Sequence, residues 1–111
     1  VHELSYAQAL LDEVLKLAEE NEAKRVTKIR LRIGELLLIN PEQLKFCFKA
    51  ISSGTIAENA EIEIEFIKPE IVCTECGRRF DEVRGLCDCG GIVAVSGGKE
   101  FLLMSVEMEV E

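Results

Sequence analysis

The sequence predicts a two-layer α+β fold, with two helices packed on a three-stranded sheet and a cysteine-rich insertion between two of the strands. Three observations carry this reading. Two stretches space their apolar residues as amphipathic helices do. Three others alternate apolar and charged residues as half-buried strands do. Residues 71–95 follow neither pattern and hold four of the five cysteines.

Residues Leu4 to Glu20 make the first expected helix. Leu4, Ala7, Leu11, Val14, Leu15 and Ala18 form an apolar stripe, with Asp12, Glu13, Lys16, Glu19 and Glu20 mostly opposite. Arg25 to Leu38 reads as a strand. Ile29, Leu31 and Ile33 point one way and Lys28, Arg30 and Arg32 the other, until Gly34 interrupts. Asn40-Pro41-Glu42-Gln43 starts the second helix, with Asn40 as cap, Pro41 in the first turn and Gln43 placed to reach back. Its buried stripe is Leu44, Cys47, Phe48 and Ile51, and Gly54 is the expected stop. Glu61 to Ile67 sets Ile62, Ile64 and Phe66 against Glu61, Glu63 and Glu65. Phe101 to Val110 sets Leu102, Met104, Val106, Met108 and Val110 against Ser105, Glu107 and Glu109. One strand therefore has a basic outer face and two have acidic ones. Opposite charges on neighbouring strands attract and like charges repel, which places the basic strand between the acidic pair.

This pattern divides the chain into an α+β domain of residues 1–70 and 96–111 and an inserted domain of residues 71–95. The 111-residue chain is 48% hydrophobic, enough to build a core. The insertion has few large apolar residues and needs another source of order. The net charge of −8 argues against nucleic acid, because phosphate binding needs a basic face. No run of about twenty apolar residues offers a membrane span, and no basic-then-apolar leader precedes the first helix. The expectation is a cytoplasmic protein whose partners are proteins or cations.

The clustered cysteines read Cys73-Thr-Glu-Cys76-Gly77 and Cys87-Asp-Cys89-Gly90-Gly91, with ten residues between Cys76 and Cys87. A Cys-x-x-Cys-Gly pair lets two thiolates reach one ion, and the glycine permits the tight turn. Two pairs make a closed four-thiolate site of the structural zinc type. Such binding is worth roughly 10–16 kcal/mol in small peptides at neutral pH, enough to order a segment without a core. The second pair is one residue short, so its turn must differ from the first. A redox role for Cys73 and Cys76 is the weaker alternative, because a redox pair usually stands alone at a helix start. Cys47 lies on an apolar helical stripe and reads as a small hydrophobe.

The single histidine is His2. A histidine at a chain end most often has no role. Here, however, the Val1 amine, the His2 amide and ring nitrogens and the Glu3 amide lie within a few bonds of one another. A planar set of four nitrogens suits Ni(II) or Cu(II) better than Zn(II) or Mg(II). The first amides of a helix lack intrahelical partners, and the helix dipole favours the anionic amides that planar nickel requires. Glu3 adds a carboxylate beside the site, either as an outer ligand or as acceptor for the ring N–H. On the residues alone both readings stand.

Several stretches together resemble one family. They are "HEL" at 2–4, "RIGEL" at Arg32–Leu36, "VCTECG" at Val72–Gly77, "CGG" at Cys89–Gly91, and "SGGKEFLLMSVEME" near the end. In this order they resemble the archaeal and bacterial HypA family of nickel metallochaperones for [NiFe]-hydrogenase and, in some bacteria, urease. The resemblance spans nearly the whole chain. It implies a non-enzymatic carrier of Ni(II), with His2 as the essential nickel ligand beside Glu3, and Val1 supplying the amine where the family usually has Met. It implies structural Zn(II) on Cys73, Cys76, Cys87 and Cys89. The implied partners are a nickel-handling maturation GTPase and the hydrogenase large-subunit precursor. The competing reading is a zinc-ribbon interaction or nucleic-acid module in which His2 is incidental. The acidity of the chain and its lack of a basic aromatic patch count against the nucleic-acid form.

Overall fold

The computed structural model describes residues 2–111. Helix α1 (Glu3–Glu20) is followed by strand β1 (Arg25–Gly34), a single 3-10 turn (Glu35–Leu37) and helix α2 (Pro41–Ser52). Strands β2 (Glu61–Ile67), β3 (Glu70–Cys73), β4 (Val93–Ser96) and β5 (Phe101–Glu109) complete the chain. The order in the larger sheet is β2-β1-β5, and β3 and β4 form a separate two-stranded sheet. β1 runs parallel to β2 and antiparallel to β5. The basic strand is thus central, as the charge pattern predicts.

Its outer face shows why. Lys28 pairs with Glu63 at 2.9 Å, and Arg30 bridges Glu63 at 3.2 Å and Glu107 at 2.9 Å. Arg32 meets Glu65 at 2.7 Å, and Arg25 meets Glu109. The inner face carries the core. Val26, Ile29, Leu31 and Ile33 of β1 are buried against Ala7, Leu10, Leu11 and Val14 of α1, Leu44 and Phe48 of α2, and Ile62 of β2. Asn40 caps α2 as expected, its side chain accepting the Gln43 N–H at 3.1 Å.

Two phases differ from the periodicity. On α1, Leu10 is buried at 3% exposure while Leu4 stands 55% exposed. The stripe that reaches the sheet runs Glu3, Ala7, Leu10, Leu11, Val14, Ala18, so its first position is a glutamate. On β5, Leu102 and Met104 are exposed, and Phe101 and Leu103 pack on the core instead. The pairing steps from Arg30 opposite Ser105 to Leu31 opposite Leu103, leaving Met104 as an extra residue. That bulge reverses which side chains face inward, so Val106 returns to the core side. A second irregularity at Thr27 lets Val26 be buried although it shares the parity of Lys28.

At the end of β1 the ladder continues into the link to the smaller sheet. The Gly34 N–H donates to the Glu100 carbonyl at 2.7 Å, and the Leu36 N–H to the Gly98 carbonyl at 2.8 Å. A Cβ at Gly34 would lie 2.1 Å from the Gly98 carbonyl carbon, so only glycine allows this approach. The molecule is elongated, 60 × 26 × 16 Å with a radius of gyration of 18.1 Å, against about 13 Å for a compact chain of this length. No helix of the described residues is long and apolar enough to cross a membrane.

Gly34→Ala is therefore expected to lower the unfolding free energy by about 1–3 kcal/mol or more in urea denaturation, as overpacking does. Gly85→Ala, where an added Cβ meets nothing within 4 Å, leaves it nearly unchanged.

Candidate metal centre

Cys73 ends β3, and the chain turns tightly behind it. The Gly77 N–H donates to the Cys73 carbonyl at 3.0 Å, with Gly77 at φ +76°. This is the expected Cys-x-x-Cys-Gly turn. It aims the Glu75 and Cys76 N–H groups at the Cys73 sulfur, at 3.4 and 3.5 Å.

The shortened pair solves its turn differently. The Gly90 N–H donates to the Cys87 carbonyl, and the Cys87 N–H returns to the Gly91 carbonyl, both at 2.9 Å. The amide aimed at the Cys89 sulfur comes from Gly91, beyond the pair. Gly91 also passes so close to the first half-site that a Cβ there would lie 2.8 Å from the Cys73 sulfur. The sequence offered "CGG" as a motif, but not this close approach. Antiparallel β3 and β4, with Cys73 opposite Val93, bring the two half-sites together.

All four sulfurs lie within 4.8 Å of one another. Cys73 and Cys89 are 3.6 Å apart, as are Cys76 and Cys87. A tetrahedral ion with bonds of about 2.3 Å sets its sulfurs about 3.8 Å apart, so the donor set and spacing fit a closed four-thiolate metal site. Cys47 lies on α2, packed against the larger core, and takes no part.

The thiol ionisations reflect how closely the four sulfurs are packed. The Cys76 N–H, opposed by burial and helped by the Glu75 N–H, brings the Cys73 thiol down to about 6. At Cys89 the Gly91 N–H acts in the same direction, but the neighbouring sulfurs of Cys73, Cys87 and Cys76 outweigh it and push the thiol up to about 12. Four thiolates this close repel one another unless a cation sits among them. The apolar core of the segment is small. Its buried apolar residues are Ile71 and Val93, packed with Cys73, Cys87 and the half-buried Phe80.

The other predicted site residues lie at the start of α1. Val1 falls outside the described residues. His2 is exposed and occupies the N-cap position of α1, its carbonyl accepting the Tyr6 N–H at 3.1 Å. Glu3 is 7% exposed, and its Oε2 accepts the Asn40 backbone N–H at 2.9 Å. The carboxylate thus links the first turn of α1 to the cap residue of α2. Periodicity missed this contact because a glutamate occupies a stripe position. The spacing of Glu3 four residues before Ala7 was the available signal.

Glu3 also supplies a pH dependence. With the Asn40 N–H the largest of several causes, its carboxyl is held at about 2, below the ordinary 4.5. A depressed folded-state pKa contributes stability that is complete above 4.5 and lost as the pH falls from there through 2. The native chain is expected to exceed Glu3→Gln in urea-unfolding free energy near pH 6, with the gap closing across that acid window.

Known proteins place the chain. Residues 1–108 match the family described as "Hydrogenase/urease nickel incorporation, metallochaperone, hypA". The hydrogenase maturation factor HypA of Archaeoglobus fulgidus is 54% identical over 110 residues, covering 99% of this chain and 100% of that protein. Its counterpart in Methanocaldococcus jannaschii is 43% identical over 123 residues, covering 100% and 99%. The solution structure of the Ni metallochaperone HypA from Helicobacter pylori shares the fold, with a TM-score of 0.68 at 24% identity and full coverage of both chains. A second solution structure, of HypA protein, reaches a TM-score of 0.71 at 24% identity over 99% of this chain and 98% of that one. The chain belongs to the HypA family, whose members are nickel-incorporation metallochaperones of hydrogenase maturation and not enzymes.

Proposed function

We propose that this protein carries Ni(II) from its N-terminus to an immature [NiFe]-hydrogenase in the cytoplasm. The observation that carries this reading is family membership over residues 1–108. Nickel is cargo, bound by the Val1 amine, the His2 amide and ring, and the Glu3 amide. Two features support the placement. His2 is exposed, as a site that passes its metal on must be. It also sits at the N-cap of an 18-residue helix, whose dipole favours the anionic amides that planar nickel requires. The Glu3 carboxylate, engaged by Asn40, serves to hold this first turn in place.

In the same reading, residues 71–95 form a domain ordered by zinc on Cys73, Cys76, Cys87 and Cys89, and residues 1–70 and 96–111 form the nickel-carrying domain. Zinc is favoured by the all-sulfur tetrahedral set, which has no open position for exchange. The partners are a nickel-handling maturation GTPase, which loads or receives the ion, and the hydrogenase large-subunit precursor that accepts it.

Two experiments test the two metals separately. Nickel titration of protein with its untagged N-terminus is expected to give a planar Ni(II) absorbance saturating at one equivalent, absent in His2→Ala, with zinc content and fold unchanged. Nickel binding that persists in the variant would make His2 incidental and leave a zinc-clipped interaction domain. Cys73→Ser is expected to lose zinc and to disorder residues 71–95 in amide NMR spectra while α1, α2 and the larger sheet persist. A zinc-free but ordered segment would remove the structural role of the metal.

A further inference from the structure

We infer that Arg84, with Arg78 and Phe80, is a positioning element for the four-cysteine centre. These residues pin Asp88, the single residue between Cys87 and Cys89, and so hold the shortened half-site closed on its metal. The inference rests on the four-thiolate zinc reading above.

The geometry begins at Asp88. Its Oδ1 accepts from Arg84 Nη2 at 3.3 Å and its Oδ2 from Arg78 Nη1 at 3.2 Å, so each carboxylate oxygen is held by a different guanidinium. Arg84 is itself fixed, because its Nε donates to the Leu86 carbonyl at 2.7 Å. Both guanidiniums lie over the Phe80 ring, Arg84 at 4.6 Å and Arg78 at 5.1 Å from its centroid. Phe80 is anchored in turn, its N–H donating to the Ile71 carbonyl at 2.9 Å and its side chain packing against the cluster of Ile71, Cys73, Cys87 and Val93. Arg78 follows directly on the first Cys-x-x-Cys-Gly turn. The brace therefore ties the two half-sites together by a route that does not pass through the metal.

One ion pair at this exposure contributes little, and the side chains of Arg78 and Asp88 are 57% and 73% exposed. The arrangement differs from an isolated pair. Two forks share one carboxylate and one aromatic ring, so each restricts the other. The need for it is local. The first half-site directs two amides at Cys73 within its own turn, whereas the second has one residue fewer and borrows its amide from Gly91. Charge adds to this. Four thiolates around a divalent cation carry a net −2 and Asp88 adds −1, a local excess that the two guanidiniums reduce to −1.

The test is the rate at which the full-length zinc-loaded protein releases zinc to an excess of a chromogenic chelator, after zinc stoichiometry is measured. Arg84→Ala is expected to release about 10-fold faster, the scale on which outer partners tune metal sites. Arg84→Lys is expected to resemble Arg84→Ala, because an ammonium keeps the charge but loses the fork. Arg79→Ala removes a like charge that pairs with Glu70 at 3.0 Å, outside the brace, and is expected to release at the wild-type rate. A wild-type rate in Arg84→Ala, or equal acceleration in Arg79→Ala, overturns the brace. If Arg84→Ala fails to hold zinc at all, Asp88→Asn is the second variant: acceleration supports the brace and a wild-type rate refutes it. Wild-type protein without zinc on its cysteines would overturn the metal reading instead, and the stoichiometry distinguishes that result.

Discussion

Strand β1 has a neighbour on each edge, and the two impose different demands. β2 runs parallel to it, so the chain must cross over the sheet between them, and α2 lies on that crossover. β5 runs antiparallel and returns from the far side of the four-cysteine segment. Both helices end on the inner face of the same strand, where Val26, Ile29, Leu31 and Ile33 are buried. The outer face carries four cations between rows of glutamates. A basic strand at an edge would leave the two acidic strands facing each other. Strand order and core placement are thus two consequences of one strand's composition.

Two sources of order meet in this chain. The larger sheet is held by apolar burial over two helices. The smaller one has two buried aliphatic side chains and four converging sulfurs, whose spacing fits one metal ion. The junction is built from backbone: Gly34 and Leu36 bind the chain at Glu100 and Gly98. The "RIGEL" and "SGGKE" stretches, distant in sequence, are therefore two sides of one contact. A clip supplied by metal suits a segment that must keep its shape without a core of its own.

The first turn of α1 joins secondary structure to a polar tertiary contact. Glu3 enters the stripe where an apolar residue belongs and is satisfied by the Asn40 N–H. His2 stays exposed beside it. The proposed nickel site would have a fixed base in this turn and an open top at His2, which suits a metal that must be bound and then surrendered.

Much of this was legible in the residues. The helices, the three long strands, the Asn40 cap, the central place of the basic strand and the cysteine cluster follow from period, capping chemistry, charge and spacing, all of which act over a few residues. What the tertiary structure alone decided involves residues far apart in sequence. The bulge at Met104 exists only in β5's pairing with β1, and it reversed the expected faces of Leu102 and Phe101. Glu3 found Asn40 because two helices pack side by side. Arg84 and Arg78 converge on Asp88, both over Phe80, because β3 and β4 fold the two half-sites together. Local periodicity reports what each residue prefers, and only packing determines which distant group it meets.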